Sequence, residues 1–333
     1  MKAVKVPLKQ LNDTRKELME KKIMSMDYRI KTTDEFGYIP IIENDNSYEI
    51  EDVELELLKK QPSNFTELLE DLLDENEIEK LKTSYDVVGD VVIIEIPDEL
   101  ECKKTDIGEA ALKFSKRKSV YMKKSAVKGT TRVRDLELLA GVDNPITIHK
   151  EHGTRLKLNV KKMYFSPRLA TERKRVSDSV KDNERILDMF CGIGPFPSVI
   201  AKNNCVEIVG VDINSNAIEY FKENIMLNKL KNITAICSDI RKVYDKLKLM
   251  KFDRIIMNLP GLAYSFLDIA FDLIADNGII NYYEFSDSYE NGIKRIEDIA
   301  KKKNRKVEII NTRKVKSTSP GMWHVAIDAK IKN

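Results

Sequence analysis

Cysteine is scarce in this chain: Cys102, Cys191, Cys205 and Cys237 are the only four, and none stands in a C-x-x-C pair. That excludes a zinc ribbon and offers no disulfide framework. A reducing cytoplasm is the expected setting. Long apolar runs are also missing. None approaches the roughly 18 to 20 residues that a membrane span needs, and the N-terminus lacks the apolar core of a secretory signal. There is no internal repeat and no low-complexity tract. What is present is 42% hydrophobic and 33% charged residues in a length of 333. That balance fits a folded chain rather than a disordered one. At about 150 residues per domain, the length suggests two domains or three.

The net charge of +3 hides an uneven distribution. Residues 43–101 hold 20 acids against four bases, so the remainder carries 53 bases against 34 acids. Residues 113–134 hold nine bases and no acid. Such asymmetry points to a polyanionic partner. Lys123, Lys124 and Lys128 are expected to meet phosphates in that case. The plainer reading of the same stretch is a solvated lysine-rich face.

Residues 1 to about 60 read as a small α+β unit, with a strand at 4–7, a helix at 12–24 and a strand at 38–42. An acidic helix is expected at 66–81, capped by Asn64 or Thr66. A hairpin or strand entered through Gly89 follows at 86–97, then a helix at 107–114 and a strand at 119–123. Paired strands are expected at 146–149 and 155–160. Beyond Met163 strands and helices alternate strictly. The strands fall at 185–189, 207–212, 233–238, 254–258, 279–285, 307–312 and 323–329. Alternation of this kind gives a mostly parallel sheet with helices on both faces. Ligands of such sheets sit at the carboxyl ends of the strands.

The first of these strands ends in Asp188-Met189-Phe190-Cys191-Gly192-Ile193-Gly194-Pro195-Phe196. A phosphate-binding loop would need Lys and Ser or Thr after its last glycine. A dinucleotide turn would need glycine where Pro197 stands. S-adenosylmethionine (AdoMet) has no phosphate to cradle and suits the turn better. Asp188 is then placed to face its ammonium group, while Gly192 and Gly194 make room for the methionyl chain. The second strand ends at Asp212, positioned to accept both ribose hydroxyls. The third is followed by Asp239, which can accept from the adenine amino group. A lone acid after a strand is most often a helix cap. Three at successive strand ends beside Gly-Ile-Gly make a site. The architecture resembles the class I AdoMet-dependent methyltransferases, in which the last strand runs antiparallel.

The fourth strand ends in Asn258-Leu259-Pro260-Gly261. It resembles the Asn/Asp-Pro-Pro-aromatic element of amino-group methyltransferases, with Leu259 in place of the first proline. Upstream lie Arg132-Val133-Arg134-Asp135-Leu136 and the run from Tyr164-Phe165-Ser166-Pro167-Arg168 to Glu172-Arg173. In this order the elements resemble the archaeal and eukaryotic tRNA (guanine-37, N1) methyltransferases, from about residue 60 to the end. The N-terminal unit resembles them more loosely.

The resemblance implies a small tRNA-contacting module over 1–60, an α+β RNA-binding domain over 61–162 and an AdoMet-binding catalytic domain over 163–333. It implies a monomer that grips the anticodon stem-loop and the outer corner of tRNA. It assigns the N1 proton of guanine to Glu172 as general base and the charge growing on O6 to Arg132. Asn258 fixes the base edge, and Tyr164 lies near cofactor and target. The cofactor residues implied are Asp188, Phe190, Gly192, Gly194, Asp212, Asp239, Asn258 and Arg173. No metal is needed, because the sulfonium is itself the electrophile. His149 and His152 read as a hairpin-turn pair, His324 as structural, and Cys191 as packing.

The nearest rival is a sister enzyme that moves the aminocarboxypropyl group of AdoMet onto a tricyclic tRNA base. It has no need of Glu172 and Asn258 together. A non-enzymatic RNA-binding module predicts no saturable AdoMet binding. A methyltransferase for proteins or small molecules leaves the basic stretch unexplained, and Pro197 disfavours a dehydrogenase.

Overall fold

The computed structural model describes residues 1–58, 62–81, 83–124 and 135–333. Two compact units result, Met1–Ser63 and Asn64–Asn333. The first contains β1 (Lys2–Pro7), α1 (Leu11–Glu20), β2 (Lys31–Thr32), β3 (Phe36–Pro40) and β4 (Glu49–Asp52). Its antiparallel sheet runs in the order β2-β3-β1-β4. Val4, Val6, Leu18, Ile39 and Ile41 form the core. The helix stops short of the expected residue 24, because Lys22 turns left-handed (φ 58°) and the Ile23 N–H returns to the Leu18 carbonyl. Strand β4 is not expected from the sequence, since three of its four residues are acids. It pairs nonetheless, and Lys5 on β1 bonds Glu51 at 2.7 Å and Glu49 at 3.4 Å.

The second unit opens with a 3-10 turn, Phe65–Leu69, capped by the Asn64 side chain. The single acidic helix expected at 66–81 does not form. Only α2 (Glu75–Lys80) is α-helical, because Asp74 and Glu77 exchange side chain-to-backbone bonds of 2.9 Å in a capping box that starts a new helix. Then come β5 (Asp86–Val88), β6 (Val91–Ile94), α3 (Lys104–Ser115), β7 (Ser119–Lys123) and β8 (Leu136–Gly141). They form a sheet of order β5-β6-β7-β8, in which α3 crosses between the parallel pair β6 and β7. The acidic segment and the basic stretch meet here. Lys123 bonds Glu95 at 3.0 Å, Lys124 bonds Glu101 at 2.6 Å and Lys118 bonds Asp90 at 2.7 Å. The lysines expected on phosphate are thus already held by carboxylates, except Lys128, which lies outside the described residues. A hairpin follows, β9 (Ile146–Glu151) and β10 (Thr154–Asn159).

The remainder alternates as expected. Its elements are α4 (Ala170–Ser179), β11 (Arg185–Asp188), α5 (Pro195–Asn203), β12 (Glu207–Asp212), α6 (Ser215–Leu227), β13 (Ile233–Cys237) and α7 (Ile240–Leu247). They continue with β14 (Phe252–Met257), α8 (Leu267–Leu273), β15 (Ile274–Ser286), α9 (Glu290–Lys302), β16 (Lys306–Ser319) and β17 (Met322–Lys332). The sheet order is β13-β12-β11-β14-β15-β17-β16. Strand β17 runs antiparallel to both neighbours, and the other pairings are parallel. Successive side chains serve opposite faces. Leu187 and Ile255 pack in the core under α7, α8 and α9, while Ile186 and Ile256 pack with Val176 of α4 and Ile200 of α5. The order reverses at β11, which makes its carboxyl end the switch point where a crevice opens.

Candidate active site

A cavity of about 330 Å3 opens at that switch point. Its wall takes Asp188 from β11, Gly192 from the turn, Asp212 from β12, Asp239 after β13 and Asn258 after β14. Tyr164, Phe190 and Arg173 line it as well.

The turn after β11 folds because two of its residues are glycine. Gly192 and Gly194 take φ of +54° and +76°, which side chains resist. A Cβ on Gly194 would lie 2.0 Å from the Phe221 ring, so this position also permits the close packing of α6. Gly194 itself is not on the cavity wall. Pro195 occupies the first position of α5, and the first intrahelical bond runs from the Ser198 N–H to the Gly194 carbonyl. Pro197 therefore sits in the first turn, where its missing N–H costs nothing. Asn224 is fully buried and donates to the Ile193 carbonyl at 3.1 Å, while its own carbonyl accepts the Lys157 N–H at 2.7 Å. Through Asn224, α6 ties the glycine turn to β10.

Asp188 is 1% exposed and accepts the Phe190 N–H at 3.2 Å. Burial, with Asp212 adding, pushes its pKa up to about 8. Asp212 accepts from Gly192 N–H at 2.7 Å and from Asn214 N–H at 2.8 Å, one bond on each oxygen. These bonds aim the carboxylate into the cavity and leave each oxygen a further lone pair. Burial raises its pKa too. Asp239 both caps α7, accepting the Arg241 N–H at 2.9 Å, and lines the cavity. The Arg241 guanidinium bonded to it holds its pKa low. Arg241 lies over the Phe266 ring, itself 5.0 Å from Phe190, and this apolar corner accepts a flat base. The Asn258 amide lines the cavity and has no hydrogen-bond partner among the described residues.

Arg173 is buried and bidentate to Glu151 of β9, with both bonds 2.5 Å, and it stacks on Phe165. Burial works to raise the pKa of Glu151, but His149 and Arg173 outweigh it and hold the acid below its ordinary value. Glu172, the next residue on α4, is not on the cavity wall. It is 1% exposed, and its carboxylate faces the Arg175 guanidinium at 2.7 Å, the Tyr283 hydroxyl at 2.8 Å and the Arg313 guanidinium at 3.5 Å. Arg175 continues to Asp328 of β17 at 2.5 Å. Arg132 lies outside the described residues.

The Cys191 thiol is pushed well above its ordinary pKa by burial, then by Asp188 and Asp212, which disfavours a thiolate nucleophile. His152 sits at the hairpin turn against the Ala170 carbonyl at 2.9 Å, and His149 accepts the Gly89 N–H at 3.4 Å. His324 lines the cavity. Sequence reasoning passed over Phe266, Phe285, Asn214 and Asn224. An Asn two residues after a strand-end acid was a readable signal for Asn214; the others depend on tertiary packing.

Residues 147–310 match the TRM5/TYW2 methyltransferase domain, 65–144 the TYW2 N-terminal domain and 3–49 the tRNA methyltransferase 5 N-terminal domain. The chain is 40% identical to the tRNA (guanine(37)-N(1))-methyltransferase Trm5b of Pyrococcus abyssi, over 99% of its own length and 98% of the relative's. It belongs to the TRM5/TYW2 methyltransferase family. Within that family, a solved complex of aTrm5 and tRNALeu superimposes with a TM-score of 0.82 at 39% identity, covering 99% of each chain. The tRNA(Phe) (4-demethylwyosine(37)-C(7)) aminocarboxypropyltransferase of Methanocaldococcus jannaschii is 36% identical over 74% of this chain and 97% of its own. The relative named for the methyl reaction thus matches nearly the whole chain, and the one named for the rival reaction about three quarters.

Proposed function

We propose that this chain transfers the methyl group of AdoMet to N1 of guanine 37 of tRNA. The observation that carries the reading is the cavity, with an acid at each of three successive strand ends and Asn258 at the fourth. It supports the reading because the chain that builds it aligns end to end with Trm5b. AdoMet, when bound, supplies a methyl group already activated on a sulfonium.

The chain's own residues do the rest. Asp212 is oriented by two backbone N–H groups to receive ribose hydroxyls. Asp239 receives the adenine amino group beside Phe266. Asp188 balances the cofactor's positive charge. The free amide of Asn258 holds the guanine edge next to Tyr164. Arg132 steadies the charge moving toward O6. Glu172 takes the N1 proton if bound RNA brings N1 within one hydrogen bond, or one water, of its carboxylate. The RNA held is the anticodon stem-loop, with the 1–60 module reaching the outer corner of tRNA. The protein works as a monomer in a reducing cytoplasm; the four free thiols accord with the reducing setting.

The test offers bulk tRNA two samples of AdoMet, one labelled in the methyl group and one in the aminocarboxypropyl group. Label from the methyl sample alone is expected. Transfer of the aminocarboxypropyl label would replace this reading with its rival.

A further inference from the structure

The two arginines that line the cavity are both engaged by acids, Arg173 by Glu151 and Arg241 by Asp239. The edge strand β16 differs. From Ile309 to Ile327 the chain carries no acid but three strong bases, Arg313, Lys314 and Lys316. Arg313 reaches down to Glu172. The Lys316 ammonium donates to the Ser166 hydroxyl at 3.3 Å, and Ser166 lines the cavity. Lys314 is exposed, with its ammonium 4.7 Å from the centre of the Trp323 ring. Neither lysine has a carboxylate partner among the described residues.

The pairing register shows where these groups stand. Strand β15 ends at Ser286, opposite Trp323, just past Phe285 and His324 on the cavity wall. Beyond that point only β16 and β17 continue, paired through Ser317–Trp323 and Ser319–Met322. Pro320 and Gly321 close the tip. Gly321 has φ +74°, and Pro followed by a left-handed Gly makes a firm two-residue turn. The Thr318 hydroxyl fastens it to the Met322 carbonyl at 3.1 Å. The result is a stiff finger at the cavity's own end of the sheet. Its tip, residues 317–323, is uncharged. The lysines stand at its root, Lys316 opposite His324 and Lys314 opposite Val325, with Trp323 and exposed Met322 next along the hairpin.

A base that must enter a cavity leaves its stack, and its flanking phosphates stay outside at the mouth. Sites for single-stranded RNA join unpaired cations to flat apolar groups. We propose that the root of the β16–β17 tip is a phosphate-binding finger for the nucleotides flanking the extruded base. Lys316 takes the phosphate nearest the cavity and Lys314 the next, steadied by Trp323. This inference rests on the RNA-modifying reading above.

The test uses the full-length protein, the double variant K314Q/K316Q and, as control, K332Q. Lys332 lies at the far end of the same hairpin, paired with Glu308 at 2.6 Å. Affinity for tRNA is measured at several salt concentrations, and AdoMet affinity separately. The slope of log affinity against log salt should flatten by about 0.7 per lost contact, roughly one to one and a half units for the pair. AdoMet affinity should not move, and K332Q should match the parent. K314Q alone, at an exposed position, should give about half the flattening should the double variant fold poorly. An unchanged slope in K314Q/K316Q overturns the finger. Failure of the parent protein to methylate tRNA strikes the functional reading instead, and the parallel methylation assay separates the two.

Discussion

Two sets of acids lie within a few residues of the same cavity, in opposite electrostatic states. Asp188 is buried and Asp212 half-buried, neither bonds a cation among the described residues, and both are driven toward the protonated form. Glu172 is as deeply buried as Asp188, yet two guanidiniums and a phenol hydroxyl surround it. The difference separates an incomplete site from a complete one. Among the described residues no cation is bonded to the strand-end pair, so a cationic ligand gains there and displaces only a proton. Glu172 is already satisfied, and its partners pin α4 to the sheet through Arg175 and Asp328. Asp239 lies between these extremes, held ionised by Arg241.

The comparison breaks most sharply at its satisfied side. Glu172→Gln should slow single-turnover methylation about a hundredfold or more if the carboxylate is the base. It should also lower the melting temperature, since it leaves buried guanidiniums short of charge. Measured well below the melting point, a normal rate together with a lowered melting temperature would leave Glu172 as a structural pin alone. On the incomplete side, Asp212→Ala should weaken AdoMet by about 1 to 3 kcal/mol in calorimetry, the usual cost of leaving buried hydroxyls unmatched.

A pH series sharpens the contrast further. Below about 8 the empty site keeps a proton on Asp188, and a bound cation expels it. AdoMet affinity should therefore climb from pH 5.5 to 7.5, by up to about tenfold per unit. Asp188→Asn should flatten that rise. An equally steep rise in the variant would assign the titration to another group.

The smallest effect expected is in the basic stretch, where the same contrast recurs. Lys123 and Lys124 are satisfied by Glu95, Glu101 and Glu137. Substituting Gln at both should leave the salt slope of tRNA binding within about half a unit of the parent. By contrast Lys113, Lys116 and Arg117 are exposed, and the same change there should flatten it. Filter binding at several salt concentrations compares the two sets.

This division also marks how far the sequence could be read. Asp188, Asp212 and Asp239 were legible because each follows its own strand by local rule, and strand–helix alternation sets their common edge. Asn258 follows the same rule. The cage around Glu172 was not, because Arg175, Tyr283, Arg313 and Asp328 come from α4, β15, β16 and β17. No spacing in the chain encodes that meeting. The split of the acidic helix at Asp74 turns on a capping exchange that competes with an unbroken helical pattern. The neutralised lysines needed the β7 register and the α3 crossover before their partners could be seen. Charge counting gave the right amount of charge but not which of it remains free.

The central claim is the identity of the methylated atom. An unmodified tRNA transcript with guanine at position 37 is incubated with the protein and methyl-labelled AdoMet, then digested to nucleosides, beside a transcript carrying adenine at 37. The account predicts label in 1-methylguanosine from the first transcript and none from the second. Label in any other nucleoside, or equal label in both transcripts, would contradict it.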